Sequence, residues 1–393
     1  MPDPRTSRPT DAINLLLRHN WPRAAQDLAI TAAHEGRLDP IARQQLDQRV
    51  AACAETSVNC RHEVLGIAHD SIVSTLQIMP LTAEDEMRAA FKQAVRWIEI
   101  ETSSQCNRRC TYCPNAEFDR ISSNDFLDPE LYTRVLHDLA TIEYDGELVL
   151  VGTNEIFMHG RNLDYIAAAR QHLPACRIKL FSNGDYLDRT QLDQLVSLDV
   201  DNLVVTLHPA AGKPYNEAEL RVRAARLAER LGLALRIDSV RPGHHLYFTA
   251  QLGRLHLTVG LQNFAVTGHS WAGAVGDADQ FLRTAPCTYP IRQFVLNHDA
   301  DLFMCCFPVK ERTTLNMRTG SVAGNLNEFP SIFHAYASPK LLAWRRALLT
   351  NDEKPEPCRS CTGHASIDES QFRDLAWQAT RLLRWEQQVV CNK

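Results

Sequence analysis

Through the first ninety or so positions, apolar residues recur at the spacing of amphipathic helices. Trp21, Ala24, Ala25, Leu28, Ala29, Ala32 and Ala33 form one stripe, opened by Asn20 as a cap with Pro22 in the first turn and stopped by Gly36. Asp39 and Pro40 open a second helix through Ile41, Leu46 and Val50, and weaker helical patterns cover 63–76 and 83–95. Residues 1–92 are therefore expected to form a helical N-terminal module. From Trp97 the rhythm changes to short apolar runs alternating with longer helical stretches, the pattern of βα units that build a parallel sheet. Strands are predicted at 96–101, 147–151, 177–181, 202–207, 234–239 and 262–267, with helices near 129–140, 163–172, 190–197 and 218–231. Six strands fall two short of a closed eight-stranded barrel. The expectation is an α/β fold with a partial (β/α)6 TIM-like barrel over 93–279, its chemistry at the carboxyl ends of the strands.

After Gly273 the alternation fades. Residues 280–370 hold short candidate strands at 294–297 and 302–305, a helix at 340–349, and cysteines among turn-forming neighbours. So loop-rich a segment has little core of its own, which predicts a small C-terminal domain organised by metal. A last stripe, Phe372, Leu375, Ala376, Ala379, Leu382 and Leu383, predicts a C-terminal helix within 371–393.

Composition narrows the chemistry. A chain of 393 residues with 45% hydrophobic content reads as a soluble globular protein with sizeable cores. Its formal charge of −5 lacks the basic excess that a phosphate backbone requires, so no nucleic-acid partner is expected. No window approaches membrane-spanning length and the start does not read as an export signal, so no membrane is expected and a cytoplasmic location is. Twelve cysteines in such a chain point to metal binding or redox work rather than to disulfides.

Three of them stand in Cys106-Asn-Arg-Arg-Cys110-Thr-Tyr-Cys113, directly after the first predicted strand. Three thiolates on one loop can hold three irons of a cubane and leave the fourth open for chemistry, whereas structural zinc prefers four ligands in paired C-x2-C groups. The motif, with Tyr112 as the aromatic before the last cysteine, resembles the radical S-adenosylmethionine (SAM) superfamily. That resemblance implies a SAM-binding [4Fe–4S] cluster on Cys106, Cys110 and Cys113, and reductive cleavage of SAM to a 5′-deoxyadenosyl radical that abstracts substrate hydrogen. It also implies cofactor contacts from Tyr112, from Gly152, Asn154 and Glu155 in a partial match to the family's Gly-Gly-Glu turn, from Ser182 and Asn183 after the third strand, and from Ser239 after the fifth.

Downstream lie Cys287, the neighbours Cys305 and Cys306, and Cys358-Arg-Ser-Cys361. Local chemistry leaves iron–sulfur and zinc equally open for four of these five. Adjacent strand residues point to opposite faces, so one of Cys305 and Cys306 is left over. The spacing is similar to the auxiliary-cluster domain of radical enzymes of the twitch or abbreviated SPASM kind, which implies one auxiliary [4Fe–4S] cluster on Cys287, Cys305, Cys358 and Cys361. Cys53, Cys60, Cys176 and Cys391 read as ordinary small apolar residues.

A single auxiliary cluster resembles the butirosin-pathway aminocyclitol dehydrogenase group, and implies two-electron oxidation of a polar small molecule such as an aminocyclitol or amino sugar. A reducing electron donor of the flavodoxin or ferredoxin kind follows as a partner. Two other readings stand beside it: maturation of a ribosomal peptide, and a non-catalytic iron–sulfur or zinc scaffold. For substrate chemistry His208, after the fourth strand, is the candidate base, since imidazole titrates near neutrality. Arg241, His244 and His245 are expected at the same end of the sheet, and Trp271 at the close of the last βα unit.

Overall fold

The computed structural model describes residues 44, 48, 80–116, 118–209, 213–268, 270–272, 274–275, 282–283, 287–349 and 353–361. Apart from positions 44 and 48, the helices predicted before position 80, and the one predicted within 371–393, lie outside the described residues.

A helix, α1 (Glu84–Ala94), leads into strand β1 (Trp97–Ile100), which opens four βα units completed by α2 (Pro129–Thr141), β2 (Glu147–Val149), α3 (Arg161–His172), β3 (Arg177–Ser182), α4 (Arg189–Ser197), β4 (Asn202–Thr206) and α5 (Glu217–Leu231). Local chemistry sets their ends. Asp128 caps α2 on the Glu130 amide at 2.8 Å with Pro129 in the first turn. Asp188 and Gln191 close a capping box at α4, and Gly232, left-handed at φ 63°, ends α5.

Strands β5 (Arg236–Arg241), β6 (His245–Leu252), β7 (Leu255–Gln262), β8 (Gln293–Leu296), β9 (Asp301–Phe303) and β10 (Val322–Asn325) complete a sheet ordered β10-β9-β8-β1-β2-β3-β4-β7-β6-β5. The six central strands, β8, β1, β2, β3, β4 and β7, are mutually parallel, and an antiparallel hairpin closes each edge. A mixed α/β fold with a parallel sheet is thus present, and the parallel strands number six, but two are not those predicted. The run at 234–239 falls mainly in β5, an edge strand with its side chains largely exposed, as its alternating charges allow. The run at 262–267 is one turn of helix, Phe264–Thr267, ended by Gly268. The fifth parallel place goes to β7, whose Leu255, Leu257, Val259 and Leu261 are buried, and the sixth to β8, from the segment expected to be a separate small domain.

The period of two along the strands positions the site. On β1, Ile98 and Ile100 are buried in the layer under the helices, while Trp97 and Glu99 turn to the inner face. Phe181, Thr206 and Gln262 do the same on β3, β4 and β7. Phe91 of α1 packs edge-on against Phe294, Phe333 and Tyr336 with ring centroids 5.3–5.5 Å apart, tying the first helix to the C-terminal segment.

Candidate active site

A cavity of about 380 Å³ opens at the carboxyl ends of the parallel strands. Cys106, Cys110 and Cys113 all border it. Their loop is held from several sides: the Cys106 amide donates to the Arg120 carbonyl at 2.9 Å, and Asn115 Nδ2 to the Thr153 carbonyl at 2.7 Å. Asn107 and Arg108 both donate to Asp185 beyond β3, Arg108 through two nitrogens at 2.6 and 2.5 Å. Burial pushes the Cys106 thiol up to about 11 and Cys113 up to about 12, and raises Cys110. Among the described residues no three His, Cys, Asp or Glu side chains converge as a single chelated ion requires. Thiolates on separate irons of one cubane stand apart, and three soft donors around one cavity suit that group.

The loop after β2 forms the next wall with Gly152, Thr153, Asn154 and Glu155. A Cβ on Gly152 would stand 2.7 Å from Glu101 Oε1, so the backbone there needs glycine's clearance. Glu155 accepts from Ser182 Oγ and the Asn183 amide, both at 2.7 Å, and from the Phe157 amide at 3.2 Å. Burial raises its carboxyl to about 7 despite those donors. Glu155 therefore joins the β2 and β3 turns, and Ser182 and Asn183 border the cavity beside it.

An aromatic wall closes the other side. Tyr112 stacks on Phe264 with centroids 3.9 Å apart, lies near-parallel to His208, and its carbonyl accepts from Trp271 Nε1 at 2.9 Å. The Tyr112 hydroxyl is hydrogen-bonded to His208 Nδ1. Burial, with the Arg108 charge, lowers the His208 imidazole to about 3. His208 thus reaches the cavity, but as a neutral ring with one nitrogen engaged, which makes it a weak proton acceptor. Ser239 is not brought to the cavity: it sits on edge strand β5, bonded to His245 Nε2 at 3.1 Å. Its placement followed from counting β5 as the fifth barrel strand, a place β7 holds. Arg241, His244 and His245 lie at the turn joining β5 and β6, also off the cavity lining.

Residues outside the sequence motifs hold the site together. Glu101, fully buried, binds Arg120 at 2.8 Å, His298 Nδ1 at 3.0 Å, and the Thr153 amide and hydroxyl at 2.7 and 2.9 Å. Burial works to raise its carboxyl, but the Arg120 and His298 charges win and hold it at about 2. Glu99 lines the cavity with Lys310 Nζ at 3.4 Å. The acidic positions alternating in Trp97-Ile-Glu-Ile-Glu101 were a visible signal, since a buried strand has little reason to carry two carboxylates on one face.

In the second cysteine group, Cys305, Cys358 and Cys361 are buried in the main core, and Cys287 packs against it. Burial raises the Cys305 thiol well above its ordinary value, and the neighbouring Cys306, Cys358, Cys287 and Cys361 add to the rise. Cys306 instead borders the cavity, with Gln293 Nε2 3.5 Å from its sulfur.

Residues 100–233, which carry this parallel sheet and three-cysteine loop, match the model of the Radical SAM superfamily. That family implies SAM and a [4Fe–4S] cluster. Among particular proteins, the chain is 32% identical over 115 residues to the S-adenosyl-L-methionine-dependent 2-deoxy-scyllo-inosamine dehydrogenase of Niallia circulans, covering 29% of this chain and 45% of that one. It is 27% identical over 163 residues to the GTP 3',8-cyclase of a Synechocystis strain, covering 38% and 47%. The chain spans about half the length of these curated relatives. BtrN, solved in complex with AdoMet and 2-DOIA, aligns with a TM-score of 0.48 at 19% identity over 71% of this chain and 97% of that one.

Proposed function

We propose that the chain is a radical SAM dehydrogenase that oxidises a secondary alcohol of an aminocyclitol or amino sugar in natural-product biosynthesis. The observation that carries this reading is that one cavity is bordered both by the loop Cys106–Cys113 and by Cys306, next to Cys305. The partial identity to a 2-deoxy-scyllo-inosamine dehydrogenase supports the substrate class.

In this reading Cys106, Cys110 and Cys113 hold the first cluster, and Tyr112, Gly152, Asn154, Glu155, Ser182 and Asn183 shape the SAM pocket. Cys287, Cys305, Cys358 and Cys361 hold an auxiliary cluster within residues 280–370. When bound, the first cluster and SAM supply a 5′-deoxyadenosyl radical, and the auxiliary cluster accepts an electron. The chain's own side chains orient both: Asp185 fixes the cysteine loop through Arg108, and the Tyr112, Phe264 and Trp271 wall keeps water from that side of the cavity. A flavodoxin- or ferredoxin-like donor in the cytoplasm would reduce the enzyme. Among the described residues no helix is long and apolar enough to cross a membrane.

The test is anaerobic reconstitution of the full chain, reduction with dithionite, and incubation with SAM and 2-deoxy-scyllo-inosamine. The expected products are 5′-deoxyadenosine and a ketone lighter than the substrate by two hydrogens. A reconstituted protein that forms no 5′-deoxyadenosine would be a scaffold, and 5′-deoxyadenosine without ketone would refute the substrate. Iron counting checks the second site: Cys305→Ala is expected to lose about half the iron, as one of two four-iron clusters fails, whereas Cys306→Ala keeps it all.

A further inference from the structure

Oxidising an alcohol after hydrogen abstraction requires somewhere for the hydroxyl proton to go. Four groups near the cavity can be compared by how their proton-accepting atoms are used. Glu155 is engaged by Ser182, Asn183 and Phe157. Glu101 is engaged by Arg120, His298 and Thr153, and holds its proton only near the bottom of the pH scale. His208 shares its Nδ1 with Tyr112. Glu99 differs, because it is 7% exposed, borders the cavity, and has an ion-pair partner in Lys310 at the longer distance of 3.4 Å.

The surroundings suit a carboxylate that must both hold and release a proton. Burial raises the Glu99 carboxyl above its ordinary value; the Lys310 charge opposes this, and the Glu101 charge adds to it. Lys310, itself 1% exposed, divides its ammonium hydrogens among Glu99 and the carbonyls of Cys306 at 2.5 Å and Pro308 at 3.1 Å. Cys306, the other titratable group on that side, borders the cavity through its side chain. Its backbone amide is fixed to Gln293 Oε1 at 3.0 Å. One carboxylate and one thiol therefore border the cavity, with the Lys310 cation paired to the carboxylate.

We propose that Glu99 is the catalytic base that takes the substrate's hydroxyl proton, with Lys310 as its positioning partner. The proposal rests on the dehydrogenase reading above. The C–H hydrogen atom leaves to the 5′-deoxyadenosyl radical, the O–H bond breaks with its proton going to a Glu99 oxygen, one electron leaves to an iron–sulfur acceptor, and the carbon–oxygen double bond forms.

The experiment compares wild type with Glu99→Gln and Glu99→Asp, reconstituted and matched for iron content. With substrate deuterated at the reacting carbon, Glu99→Gln is expected still to deliver deuterium to 5′-deoxyadenosine while ketone formation falls about 100-fold, and Glu99→Asp to recover part of it. Wild-type ketone formation should also fall on the acid side as Glu99 takes up a proton, and this limb should vanish in Glu99→Gln. Ketone formation at the wild-type rate in Glu99→Gln overturns the proposal. So does a loss of deuterium transfer in step with ketone, which marks a structural role. Failure of the dehydrogenase reading looks different, since wild type itself would then form no ketone.

Discussion

Cys110→Ala is expected to reduce 5′-deoxyadenosine formation to background while leaving a folded protein. The thiol borders the cavity with Cys106 and Cys113, and removing any one leaves two donors for a cubane that needs three. The fold does not depend on that sulfur. Cys110 is partly exposed, and the loop around it is anchored by its neighbours, through the Arg108 and Asn107 bonds to Asp185 and the Asn115 bond to the Thr153 carbonyl. The measurement is chromatography of 5′-deoxyadenosine beside the low-temperature EPR signal of the dithionite-reduced protein. The signal of the SAM-binding cluster should disappear, and that of the auxiliary cluster proposed on Cys287, Cys305, Cys358 and Cys361 should persist. Substantial SAM cleavage by Cys110→Ala would remove the loop from the initiating role.

The cysteine loop was legible because its chemistry is local: eight consecutive residues hold the donors, and a strand ends just before them. Glu155, Ser182 and Asn183 were legible for a related reason, as turn residues at the ends of strands whose apolar runs are plain. Strand order was harder. The runs at 234–239 and 262–267 have strand-like composition, and edge or core placement is decided by pairing with β4, which no local window contains; the alternation of Leu255, Leu257, Val259 and Leu261 was the local mark of the strand that takes that place. Ser239 went astray with that count. Lys310 and His298 illustrate a second limit. Each meets a carboxylate about two hundred positions earlier, Glu99 or Glu101, because β8 returns to pair with β1. A lysine and a histidine in a loop-rich segment carry no local mark of such partners. Cys305 and Cys306 show a third: two neighbours of one residue type are separated only by which side of their turn meets the cavity.

Arg120→Met is expected to cost about 3–5 kcal/mol of stability, because it strands a buried carboxylate rather than deleting a pair. Arg120 is 2% exposed and Glu101 fully buried. The guanidinium bonds Glu101 at 2.8 Å, Glu311 at 2.8 Å and the Ser104 carbonyl at 3.1 Å, joining the end of β1 to the cysteine loop and to the segment after β9. Without it, burial acts on Glu101 against His298 and the Thr153 donors alone. Denaturant unfolding of wild type and variant at neutral pH measures the cost, and Glu101→Gln added to Arg120→Met should recover part of it by removing the stranded charge. The pH dependence carries a sign. Glu101, lowered from 4.5 to about 2, contributes stability that is present above 4.5 and lost as pH falls toward 2. For His298, burial opposes the charged ring, but the hydrogen bond and charge of Glu101 prevail and raise it above 6.5. Its contribution is full below 6.5 and is lost as pH rises through the raised value. Both contributions are therefore in place between 4.5 and 6.5. In Arg120→Met the acid limb should move upward, since the guanidinium is the largest influence holding Glu101 ionised. An acid limb unchanged in the variant would show that His298 and Thr153 suffice to keep Glu101 charged, and that Arg120 serves Glu311 and the loop instead.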